Sequence, residues 1–203
     1  MAWCSPIEAD EGTPTSDGPQ GFRAGLSLSA DIPLKVRLLF ETLALYDVTA
    51  TLDGGVTVAL QGDFTEMTRF DGLAARLAEE EKVDFNAAAI RYVSSAGVRA
   101  WCQFLVGLGD KKYTFRQCSI AFTAQAAMVP MVVGDGAVLS LEAPYLCEAC
   151  DREELRLLET RSLLREGGRV VPPQLSCSLC GGELVFDDVP DRYFAFLRDR
   201  DKA

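Results

Sequence analysis

Histidine is absent from all 203 residues. With it go Ser-His and Cys-His nucleophile pairs, the HExxH zinc-protease helix, the two-histidine iron site and any imidazole acid-base chemistry near neutral pH. No nucleophile with a partnering base can be named, so the chain reads as a non-enzyme. Positive charge is scarce too: 20 Lys and Arg stand against 30 Asp and Glu, a net charge of −10. A field of that sign repels phosphate backbones and anionic lipid, which argues against general nucleic-acid binding. Long apolar runs are missing as well. The longest uncharged stretch, residues 117–134, is interrupted by Ser119, Thr123, Gln125 and Pro130, and suits a buried strand and helix better than a bilayer span. Residues 1–20 carry acids where a secretory leader needs a basic start. The expectation is a cytoplasmic protein with no membrane partner, whose seven cysteines form no disulfide framework in a reducing compartment.

What is present divides the chain in three. Residues 1–29 mix Pro, Gly, Ser and acids with few apolar side chains, the composition of a mobile tail. From Ala30, Asp31 can cap a helix with Pro33 in its first turn, and Leu34, Val36, Leu38, Leu39, Leu43 and Leu45 give it apolar contacts on the domain or a partner. Residues 48–52 and 56–61 alternate around Asp53-Gly54-Gly55, a hairpin pattern. A helix is expected from Thr65 or Thr68 to about Glu80, ending in a solvated run Glu79 to Lys82. A strand over 87–93 and a helix through Val98, Trp101, Cys102, Leu105 and Leu108 follow. A strand over 113–122, a helix over 123–131 and a strand over 138–141 complete the pattern. The predicted class is α/β, a mixed sheet whose helices are crossovers, over residues 30–143.

The strongest chemical signal lies in residues 144–203. Cys147-x-x-Cys150 and Cys177-x-x-Cys180, the second pair followed by Gly181-Gly182, can set four sulfurs tetrahedrally around one Zn²⁺. The expected unit is a small four-cysteine zinc ribbon. Because four thiolates leave no open coordination position, its Zn²⁺ would be structural. The 26 residues between the pairs exceed the common spacing of about 15 to 20, and Arg152 to Leu164 is read as an inserted helix that accounts for the excess. Residues 141–203 hold nine basic and thirteen acidic side chains, a net of −4, which weighs against a nucleic-acid role for the ribbon. Cys102 and Cys118 read as core residues and Cys4 as a tail thiol. Pro190 starts a short helix bearing Tyr193, Phe194, Phe196 and Leu197. Aromatics that dense call for internal burial, or else a homodimer contact.

The second signal is Ser94-Ser95-Ala96-Gly97, a small-residue turn between the strand ending at Val93 and the helix through Trp101. Together with Gly62-Asp63-Phe64 and Phe122-Thr123-Ala124, this stretch resembles the STAS domain, shared by bacterial anti-sigma-factor antagonists and the cytoplasmic tails of sulfate transporters. The resemblance spans about residues 47–141. It implies a STAS-like fold, with Ser95 as the phospho-acceptor and Ser94 standing where antagonists usually carry Asp. It further implies a partner that is an anti-sigma factor or a related ATP-dependent serine kinase, with a phosphatase to reset the switch. A phosphate at a helix start sits among free N–H groups and adds about −1.5 to −2 charges. The plainer use of Ser94 and Ser95 is as helix caps. Two other functions stay open at this point: a nucleic-acid-associated regulator acting through the ribbon, and a structural scaffold independent of phosphorylation.

Overall fold

A computed structural model describes residues 46–50 and 55–197. The expected tail, the helix from Ala30, Cys4 and the tip of the first hairpin lie outside the described residues.

The first layer is a five-stranded sheet in the order β1-β2-β3-β4-β5. β1 (Tyr46–Ala50) runs antiparallel to β2 (Val56–Phe64), as the hairpin pattern requires. β2, β3 (Lys82–Val93), β4 (Lys112–Arg116) and β5 (Ala137–Val138) are parallel neighbours. Each parallel step passes through a helix: α1 (Asp71–Arg76), α2 (Ser95–Gly107) and α3 (Ile120–Met128). The chain is thus a mixed α/β fold with crossover helices.

Alternation decides which side chains enter the core. Val56, Val58 and Leu60 of β2 and Val83, Phe85 and Ala87 of β3 are buried, while the intervening residues form polar rows on the other face. One such row runs Thr49, Thr57, Asp84, Thr114 across four strands. There Asp84 accepts a hydrogen bond from Thr114 (2.8 Å) and pairs with Arg116. On the buried side Trp101 sits among Phe64, Phe70, Phe85, Phe104, Phe115 and Phe122. Its indole N–H donates to the Val132 carbonyl at 2.7 Å, so its burial leaves no donor unsatisfied. The Val98, Trp101, Leu105 stripe is therefore core facing, with Trp101 and Leu105 buried and Val98 at its margin.

Several element limits differ from the sequence pattern, each for a local reason. The helix expected from Thr65 or Thr68 to Glu80 shrinks to Asp71–Arg76. The Thr68 hydroxyl accepts from the Thr65 N–H (2.8 Å) and so offers the backbone a turn in place of a helix. β3 starts at Lys82, five residues earlier than expected, because 82–87 alternates out and in; the run Glu79 to Lys82 is the approach to this strand. The strand expected over 113–122 stops at Arg116, and Ser119 caps α3 by accepting from the Phe122 N–H at 3.3 Å. α3 ends before Pro130, which opens a single 3-10 turn to Val132.

The second layer is a four-stranded antiparallel sheet, β10-β11-β6-β7. β6 spans Ser140–Cys147, β7 Arg152–Glu159, β10 Leu175–Ser176 and β11 Glu183–Phe186. The inserted helix expected over Arg152–Leu164 is not formed: those residues make β7, one 3-10 turn and the start of a small hairpin. Glu, Leu and Arg are helix formers, but eight consecutive pairs with β6 override that preference. The hairpin joins β8 (Leu164–Glu166) to β9 (Arg169–Val171) through Gly167-Gly168, whose φ angles of +57° and +80° suit a primed two-residue turn. The extra length between the cysteine pairs is therefore strand and hairpin.

The two sheets are stitched where residues 117–118 meet the start of β6. Cys118 N–H donates to the Ser140 carbonyl (3.1 Å) and Glu142 N–H to the Cys118 carbonyl (2.8 Å). β6 thus runs through the boundary expected at 143/144. The C-terminal aromatics are buried within the chain on α4 (Pro190–Tyr193) and the 3-10 turn after it. Tyr193 O–H donates to the Glu142 carbonyl (2.6 Å), and Phe194 stacks on Phe186 with centroids 5.4 Å apart.

Gly97 is the tightest point of the first layer, since a Cβ there would lie 2.1 Å from the Phe64 carbonyl oxygen. Gly97→Ala should cost about 3 kcal/mol by forcing α2 off the end of β2. Urea unfolding that gives a loss under about 1 kcal/mol would show that this contact is soft.

Candidate metal centre

The four cysteines named from spacing come together. Cys147 closes β6, Cys150 follows one turn later, and Cys177 and Cys180 frame the turn between β10 and β11. Their sulfurs all lie within 4.8 Å of one another. Cys147 and Cys180 Sγ are 3.5 Å apart, and Cys150 and Cys177 Sγ 3.7 Å. A tetrahedron with metal–sulfur bonds near 2.3 Å has edges of about 3.8 Å. The cluster has the donor set and the dimensions of a four-thiolate metal site.

In the second turn Leu179 N–H donates to Cys177 Sγ and Gly182 N–H to Cys180 Sγ, each at 3.4 Å. The two turns share a left-handed residue directly after each cysteine pair. Gly181, just after the second pair, has φ +73°, and Asp151, just after the first, has φ +51°. The left-handed residue that lets each turn fold back is glycine in one case and aspartate in the other. Gly182 is closely packed, since a Cβ there would sit 3.1 Å from the Ala149 Cβ and 3.3 Å from Cys180 Sγ.

One carboxylate braces the cluster and was not singled out from the sequence. Glu154 Oε1 accepts from the Ser178 N–H (2.9 Å) and hydroxyl (2.7 Å), and lies 3.4 Å from Cys177 Sγ. Arg156 and Arg152 pair with it at 3.0 and 3.5 Å, and Arg156 also donates to the Ser176 carbonyl. Residues 152, 154 and 156 share one face of β7 by alternation, the signal by which the group could have been found. The Ser178 hydrogen bonds are the main reason Glu154 is held below the usual carboxylate range, with Arg156 adding to them. A depressed value makes this brace present above the ordinary glutamate range and lost as pH falls through the folded-state value.

Chemically, the site is closed. As a free thiol Cys150 is pushed up to about 12, first by desolvation and then by hydrogen bonding with Cys180, Cys147 and Cys177. A bound cation inverts this, since a coordinating thiol gives up its proton. With all four sulfurs on one cation no position would remain for water or substrate.

The serine turn lies elsewhere, at the start of α2. Ser94 is committed to capping: its Oγ accepts from the Gly97 N–H at 3.1 Å, and its own N–H donates to the Phe64 carbonyl at 2.8 Å. Ser95 is exposed at the first helical position. Of the remaining cysteines, Cys118 is buried and Cys102 is half-buried against the core.

No protein-family model, curated protein or solved structure matches this chain. Among the described residues no helix is long and apolar enough to cross a membrane.

Glu154→Ala should weaken metal binding about 10- to 100-fold, the usual effect of losing a partner that orients ligands. Competition with a chromophoric chelator measures it, and an unchanged affinity would show that the brace is dispensable.

Proposed function

We propose that the protein is a non-enzymatic bacterial regulator that works by recognition: a STAS-like module that docks a partner, followed by a zinc ribbon that holds the C-terminal part in shape. The partner is an anti-sigma factor or a related ATP-dependent serine kinase, Ser95 is the switch residue, and a phosphatase resets it. The setting is the cytoplasm.

The observation that carries this reading is the division of labour in the serine pair. Ser94 spends its hydroxyl on the cap of a 13-residue helix, whereas Ser95, one residue later, is exposed. A modifying enzyme could reach Ser95 without dismantling the cap. The turn joins β3 to α2, a strand-to-helix junction of the kind the STAS resemblance implies. Phosphate there would gain from the amide-rich first turn and the helix dipole, and would turn a docking surface sharply anionic. For the ribbon, the supporting observation is the all-sulfur donor set at tetrahedral spacing, for which Zn²⁺ is the usual cation.

The test uses the partner captured from native cells and identified by mass spectrometry. Ser95→Ala should bind it at least about tenfold more tightly than Ser95→Asp, about 1.4 kcal/mol, and phosphoserine should be found at residue 95 in cells. Equal affinities across the series, with residue 95 unmodified in all growth conditions, would leave the scaffold reading in its place.

A further inference from the structure

The two faces of the second sheet differ in kind. The inner face carries Tyr145, Cys147, Leu158 and Leu184, all buried, and is covered in part by the C-terminal aromatics. On the outer face Leu155, Leu157 and Val185 are 59%, 49% and 45% exposed. Register adds Pro144 directly across from Leu155, and Leu146 across from Val185. These five apolar side chains form one diagonal band over β11, β6 and β7. A contiguous apolar band left in water on a small domain marks an interaction surface.

Charge on the same face is of one sign. Glu142 stands opposite Leu157 and Glu153 opposite Leu146, while Glu159 and Glu183 share the alternation of Leu157 and Val185. None of the four forms an ion pair among the described residues. No lysine or arginine falls on this face of β6, β7, β10 or β11: Arg152 and Arg156 both have the parity of Glu154 and turn inward to it. The sorting follows strand parity, with Arg152 and Arg156 on the face that carries the sulfur cluster and the unpaired acids on the face that carries the leucines. Such a surface repels nucleic acid and phosphate, and it complements a cationic apolar partner.

We infer that this outer face is a docking site for a basic amphipathic helix of a partner protein, with the partner's apolar stripe on the leucine band and its Lys or Arg side chains over Glu142, Glu153, Glu159 and Glu183. A helix suits the surface because the band crosses three neighbouring strands. β7, with its eight residues, extends about 27 Å, the length of a helix of about 18 residues. Docking here is independent of Ser95 and of the reading proposed above.

The experiment is selection from a displayed library of random peptides of about 18 residues against the full chain, with counter-selection against a Leu155→Ser/Leu157→Ser variant of checked unfolding temperature and metal content. The surviving peptides should carry Lys or Arg together with Leu, Ile, Val or Phe at three- and four-residue spacing. Their affinity should fall at least tenfold for Glu142→Gln/Glu153→Gln, near-isosteric changes at a half-buried and an exposed glutamate that keep the test valid if the leucine variant folds poorly, and should be unchanged for Ser95→Asp. Three results would overturn the inference: survivors that are neutral or acidic, no survivors sensitive to the face, or a dimer in sedimentation that the same substitutions dissociate, which would assign the face to a second copy.

Discussion

The convergence of four sulfurs is the constraint on which the C-terminal third depends. β10 is two residues long and β11 four, too short to be held by pairing alone. What brings them into place is the Cys177–Cys180 turn, whose sulfurs meet those of Cys147 at the end of β6 and Cys150 in the turn after it, where a cation would tie them together. β6 carries that constraint inward, since its first residues hydrogen-bond to the Cys118 segment of the first layer and its last residue, Cys147, is one of the four clustered cysteines. One strand therefore connects the core of the first layer to the sulfur cluster.

Charge is distributed to suit that arrangement. Four thiolates would carry net negative charge even on a divalent cation, and Glu154 beside Cys177 adds more. Arg152 and Arg156 offset it from the same strand face. The strand's other face keeps its acids unpaired. One alternating sequence, Arg152-Glu153-Glu154-Leu155-Arg156-Leu157-Leu158-Glu159, thus serves a cluster on one side and presents an anionic apolar surface on the other.

Much of this was legible in the sequence where chemistry or periodicity is local. The paired C-x-x-C spacing located the cluster, and the hairpin of β1 and β2 and the order of crossovers followed from alternation and turn residues. The segment 152–164 was not legible as strand, because Leu, Glu and Arg favour helix in isolation, and it is the eight-residue antiparallel pairing of 152–159 with β6, the other arm of its hairpin, that makes that part extended. Helix starts were displaced for a related reason. Thr68 and Ser119 use their hydroxyls on nearby backbone groups, and such competition depends on which groups the fold brings near. Asp151 in a left-handed conformation is the same lesson in the cluster: its neighbour in role, Gly181, advertises the turn, whereas an aspartate does not.

The account stands on a cation held by Cys147, Cys150, Cys177 and Cys180 and by nothing else. X-ray absorption at the metal edge, on protein purified without added metal, measures this directly. The predicted result is one equivalent of zinc with a single shell of four sulfurs at about 2.3 Å. A shell containing nitrogen or oxygen, or a folded protein that carries no metal, would contradict it.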